Sequence, residues 1–178
     1  LTYITKSMFF IFGKKYFDLI VFFLNYIFFL IPLYFIYKIG RELKDNEAGN
    51  TAMILFALVP AVYGMSRQYG HQDYHIMAAI TFNIYCLIKT KYFTNLKWSL
   101  LYGISAGLGL LVKDAFIVFF IVPFIFSAAK ALKNNSGTAA ITNLTASIIA
   151  LIPVLFVHYA RPGIIKKILY EPSTEPVN

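Results

Sequence analysis

Apolar residues in this chain fall in long blocks separated by short polar links, with neither the two-residue alternation of a strand nor the narrow stripe of a surface helix. A helical crossing of a bilayer needs roughly 17 to 25 mostly apolar residues. On that requirement the pattern predicts spans at 17–37, 49–66, 74–88 and 139–158. The stretch 98–130 is apolar except for Lys113 and Asp114, and as one helix it would reach about 50 Å, too long for one crossing. It is read as two spans, 98–112 and 115–130, joined by a tight turn at the Lys-Asp pair. The expected architecture is all-α: a polytopic transmembrane bundle of about six spans in a single membrane domain over 1–178.

Composition supports that reading. Of the 178 residues 59% are hydrophobic and 13% charged, with a mean hydropathy of +0.67, whereas a soluble domain carries roughly a quarter charged residues. The net charge of +8 comes from sixteen Lys and Arg scattered between the spans, so no nucleic-acid partner is expected; the bilayer is. The single cysteine, Cys86, sits inside a span, which leaves no disulfide framework and no cysteine-based metal site. No start methionine, charged leader or cleavage site opens the sequence, so an internal piece of a longer chain is expected.

If all six spans cross, the links 38–48, 89–97 and 131–138 share one face. They carry Lys38, Arg41, Lys44, Lys89, Lys91, Lys97 and Lys133, whereas the internal links of the other face carry only Arg67 and Lys113. The positive-inside rule makes the first group cytoplasmic, although Lys6, Lys14, Lys15, Arg161, Lys166 and Lys167 at the termini count against it. Trp98 and Tyr92 suit the membrane interface, and Pro32, Pro60, Pro123 and Pro153 are expected to kink spans. Gly103 and Gly107, with Ser105, Ala106 and Gly109, offer a small-residue face for helix packing. Asn134 and Asn143 match Asn-x-Ser/Thr, one in a cytoplasmic link and one opening a span, so neither is expected to be glycosylated.

The polar residues that could do chemistry lie at the other face. The link from Arg67 to His75 (Arg-Gln-Tyr-Gly-His-Gln-Asp-Tyr-His) is dense in ionisable and aromatic groups. Asp73 can bind a divalent cation, hold a hydroxyl or act as a base; equally it can open the next helix, where a carboxylate offsets the helix dipole. His71 and His75 have the i, i+4 spacing of zinc ligands but no third ligand, which favours interface histidines. Arg67 can meet a lipid phosphate or pair with Asp73. Lys113 and Asp114 interrupt apolar sequence, where an unpaired charge at the bilayer centre costs ~2.5 to 3.5 kcal/mol. Two spans separate Lys113 from Asp73, so both face the same side. Mutual neutralisation of Lys113 and Asp114, or snorkelling to the interface, is the structural alternative.

Three stretches resemble a known family. A span ends in Tyr37-Lys38-Ile39-Gly40-Arg41-Glu42-Leu43, similar to a cytoplasmic Gly-Arg turn; an outer link closes on Asp73, opening an apolar helix; and Tyr102-Gly103-Ile104-Ser105-Ala106-Gly107-Leu108-Gly109-Leu110-Leu111-Val112-Lys113 is similar to a Gly-rich helix closing on Leu-x-Lys. In this order, over about 17–130, they resemble the multi-pass lipid-linked sugar transferases that include protein O-mannosyltransferases and bacterial aminoarabinose transferases of lipid A. The resemblance implies transfer of a sugar from a polyprenyl-phosphate donor to a lipid or protein acceptor on the non-cytoplasmic face. It also implies donor-phosphate binding by Lys113 and an active-site role for Asp73; on their own chemistry, Arg67 is a second candidate for the phosphate, and His71, His75 and Asp114 are further site candidates. No cofactor is assigned, and a divalent cation is compatible with the carboxylates. The expected location is the plasma membrane of a prokaryote.

Two departures accompany the resemblance. The family usually has Gly after the lysine, where this chain has Asp114, and the family's catalytic base lies in an outer loop upstream of the span at 17–37, where residues 1–16 hold no acid. The base is therefore expected outside this sequence. A transporter or flippase with Lys113 and Asp114 lining its path is the rival reading, and a non-catalytic assembly subunit is a third.

Overall fold

The computed structural model describes residues 14–60, 73–133 and 137–159. Among them the chain forms six α-helices and no strand: α1 (Lys14–Leu43), α2 (Asn46–Ala57), α3 (Asp73–Lys89), α4 (Leu96–Val112), α5 (Phe116–Lys133) and α6 (Gly137–Tyr159). The all-α class follows from the solvent the sequence is built for, since a single segment in lipid satisfies its own backbone only as a helix. Three stretches combine the length and apolarity of a crossing: Phe23–Leu43 of α1, all of α5, and Thr138–Phe156 of α6. At 17 residues, α4 is apolar but shorter. The outward faces are apolar too, with Val122 and Phe126 of α5 and Ile149 and Phe156 of α6 all exposed. Such large contiguous apolar surfaces suit contact with lipid, not water.

Two local expectations are corrected. The predicted span at 49–66 is not one unbroken helix, because α2 stops at Ala57, Leu58 and Val59 leave it, and the chain is helical again at Pro60. Proline has no N–H to donate and disfavours the α conformation in the residue before it, so Pro60 bounds a helix instead of kinking one. The described part of that span, α2, is 12 residues, or about 18 Å. The Gly40-Arg41 pair, expected in a turn, lies in the last turns of α1. Gly40 is there because α2 crosses close by: a methyl group on it would lie 2.8 Å from the Gly49 Cα. The chain turns at Lys44 and Asp45 instead, and Asp45 caps α2 by accepting the Ala48 N–H at 2.7 Å.

Helix α1 packs along α2 and α3, α3 forms a hairpin with α4, and α4 makes its most extensive contact with α6 while α5 lies across them. The α4–α6 seam depends on small residues, as the sequence suggested. A methyl group on Gly103 would run into the Ser147 carbonyl, so the two backbones touch there. Tyr102 stacks on Phe120 and Phe124, with ring centroids 5.6 and 6.3 Å apart, and fills the space between α4 and α5.

These contacts give the bundle two ends. At one, Lys89 pairs with Glu42 at 3.0 Å and Lys130 donates to the Tyr92 hydroxyl at 2.7 Å. This end also holds the 90–95 link between α3 and α4. At the other lie the start of α3 and the end of α4, with Asp73 and Lys113.

Candidate functional site

The glycine-rich sequence of α4 explains how Lys113 is presented. The helix ends where Lys113 turns extended (φ −160°, ψ 133°), its N–H still donating to the Gly109 carbonyl at 3.2 Å. Only Asp114 and Ala115 follow before α5 begins, and the Phe116 N–H closes the turn on the Lys113 carbonyl at 2.9 Å. Phe116 is 1% exposed, and its ring fits against Gly109, where a methyl group would come within 2.5 Å of it. Burial of that ring fixes so short a turn, and it leaves Lys113 and Asp114 exposed.

Asp73 is the first residue of α3. In the antiparallel hairpin a carboxylate residue thus opens one helix while an ammonium residue closes its neighbour at the same end. Each charge has the sign its helix terminus favours. Arg67 and His71 lie outside the described residues. His75, expected at the interface, is buried instead: it is 5% exposed, and its ring centroid lies 3.9 Å from that of Phe28 on α1. Its Nδ1 has no hydrogen-bond partner. The neighbour that buries it is 47 positions away, which no local pattern reports.

His75 lines a groove of about 420 Å³ between α1, α3 and α4, together with Phe28, Ile31, Phe35, Phe82, Ser105, Leu108 and Val112. Val112 precedes Lys113 and His75 follows Asp73 by two residues, so the groove reaches the end of the bundle where both candidates sit. Its walls are almost wholly apolar and suit an apolar chain. Among the described residues no three His, Cys, Asp or Glu side chains group to hold a metal ion.

The sequence reading passed over the polar contact that joins α3 to α4. Asn83, 3% exposed, donates its amide to the Ser105 hydroxyl at 2.7 Å and to the Tyr102 carbonyl at 3.2 Å. An amide in the middle of an otherwise apolar helix is a signal of interhelical bonding, and it could have singled out Asn83.

A dolichyl-phosphate-mannose-protein mannosyltransferase family model matches residues 1–159. The chain belongs to that family. No curated protein and no solved structure matches it. Family membership makes this a membrane glycosyltransferase sequence, and the match covers all three stretches that carried the resemblance. In this family member the Gly-rich stretch is α4, the lysine is its C-terminal cap, and the aspartate opens the antiparallel partner α3.

Proposed function

We propose that this chain forms the membrane core of a transferase that moves a hexosyl or pentosyl group from a polyprenyl-phosphate donor to an acceptor hydroxyl on a lipid or protein. The acceptor oxygen bonds to the anomeric carbon as the bond from that carbon to the phosphate oxygen breaks, inverting the configuration. The polyprenyl phosphate departs with the electron pair, and the hydroxyl proton passes to a base. Lys113 holds the phosphate and offsets the negative charge that grows on it, an interaction that strengthens where water is excluded. Asp73 orients the acceptor side of the site, and Arg67 adds to phosphate binding. The non-cytoplasmic face is the working face, since the lysine-rich links lie at the opposite end.

The observation that carries this reading is the α3–α4 hairpin, which brings the start of one helix and the cap of the other to one end, above an apolar groove. Sugar transfer from a polyprenyl-phosphate donor by the full-length protein tests it. Lys113→Ala is expected to lower turnover by about 100- to 1000-fold, the loss seen when one charge-stabilising donor is removed. Turnover equal to that of the unaltered protein would remove Lys113 from the mechanism.

A further inference from the structure

The Asn83 side chain of α3 bonds to α4, at a position where Cys86, three residues on, meets the same Ser105 hydroxyl. Thr81, the nearest polar neighbour on α3, spends its hydroxyl on its own helix, at the Met77 and Ala78 carbonyls. The Asn83 amide has two N–H bonds, and each finds an acceptor on α4: the Tyr102 carbonyl and the Ser105 hydroxyl. Ser105 in turn donates to the same Tyr102 carbonyl at 2.8 Å, closing a three-membered network. A backbone carbonyl can only accept, so the amide nitrogen must be the atom that faces it. Both Asn83 and Ser105 are 3% exposed, so no solvent substitutes for a lost bond.

Between this network and the candidate end the seam is apolar. Ile76, Ala79 and Ile80 of α3 meet Ala106 and Leu110 of α4 through apolar surface alone. Apolar surfaces slide over one another at little cost, the more so when lipid is as apolar as the partner. The network does not tolerate sliding, because one amide reads two groups three residues apart on α4, and a one-residue slip moves both by about 1.5 Å and turns them by about 100°.

The distances to the chemistry are matched. Asp73 precedes Asn83 by ten residues, and Lys113 follows Ser105 by eight, so the network stands about 15 Å below one candidate and about 12 Å below the other. We infer that Asn83 is a positioning residue: by locking Tyr102 and Ser105 it sets the axial register of α3 against α4, and so the separation of Asp73 from Lys113. This rests on the proposed roles of those two residues. The register itself does not.

The test uses the full-length protein carrying Asn83→Leu, which keeps the volume and removes both bonds, and Ser105→Ala, a milder change that leaves the bond to the Tyr102 carbonyl. Register is read by the distance between nitroxide labels at Ile88→Cys, half-buried on α3, and Ile104→Cys, exposed on α4. Asn83→Leu is expected to broaden or split a single narrow distance distribution. It should lower kcat for sugar transfer by about 10- to 100-fold, the scale of a 1 Å misplacement, while KM for the polyprenyl-phosphate donor changes less than about twofold. Ser105→Ala should fall between it and the unaltered protein, and it carries the test should the leucine variant not fold. An unchanged distribution in both variants overturns the register clamp; a broadened one with undiminished kcat overturns the positioning role. If the unaltered protein transfers no sugar from such donors, the proposed reaction fails, and the label distances alone decide whether Asn83 sets the register.

Discussion

Helix α4 is held by two links of opposite character. The one before it, residues 90–95, is strained and heavily bonded. Lys91, Tyr92 and Phe93 all have positive φ (49°, 58° and 62°), a conformation that costs an ordinary residue roughly 1–2 kcal/mol. Thr90 holds them by donating to the Leu87 carbonyl at 2.7 Å and accepting the Phe93 N–H at 3.2 Å, and its carbonyl accepts from Thr94 and Asn95. From α6, Asn143 donates to the Phe93 carbonyl at 2.8 Å, and Lys130 lies over the Tyr92 ring at 4.5 Å. The link after α4, residues 113–115, has extended backbone at Lys113, carbonyls that accept from Phe116, Ile117 and Val118, and the buried Phe116 ring as its anchor. Backbone strain often marks functional sites. Here it lies at the end remote from Asp73 and Lys113, so it marks scaffold, and the candidate site lies on a link whose described residues carry no positive φ.

The sharpest way to break this contrast is to remove the buried ring that anchors the second link. Phe116→Ala should lower stability by about 3–5 kcal/mol, as large-to-small changes in a packed core do. It should also depress sugar transfer among the molecules that remain folded, read from denaturant unfolding in mild detergent alongside turnover. Loss of stability with transfer intact would show that the ring does not hold Lys113 in place. The next effect is smaller and falls on the first link. Asn143→Leu leaves the Phe93 carbonyl without its buried donor and is expected to cost about 1–2 kcal/mol in the same unfolding assay, with transfer per folded molecule unchanged. A drop in transfer would tie the strained link to the chemistry after all. Smallest and opposite in sign, Lys91→Gly should raise the unfolding free energy by up to about 1 kcal/mol, because glycine adopts positive φ freely. Destabilisation instead would mean that the lysine side chain contributes more than its backbone costs.

Legibility in the sequence followed the range of the interactions. The break at Lys113-Asp114 could be read because 33 consecutive, mostly apolar residues exceed one bilayer thickness, a constraint that needs no partner. The packing role of Gly103 was legible for a similar reason: small residues in an apolar helix have few other uses. The early end of α2 was also written locally, in the effect of Pro60 on Val59, but length-based span counting overrode it. His75 was different: Phe28 buries it across the bundle, and no periodicity within α3 distinguishes that fate from an interface position. For Asn83 the residue type signals an interhelical bond, but nothing local names Ser105 as its partner. The bonds that support the 90–95 link were equally hidden, since Asn143 read only as part of an Asn-x-Thr match. The pairing of Asp73 with Lys113 at one end followed simply from counting helices between them.

The contact of Gly103 with Ser147 has a consequence for how the bundle can move. Where two backbones touch there is no side chain between them that can swing to a new rotamer, so at this point α4 and α6 cannot approach further. Across the groove the wall is different, built from Phe28, Ile31 and Phe35 of α1, whose side chains do have alternative rotamers. Rotamer changes of these α1 side chains widen or narrow the groove without moving the α4–α6 contact.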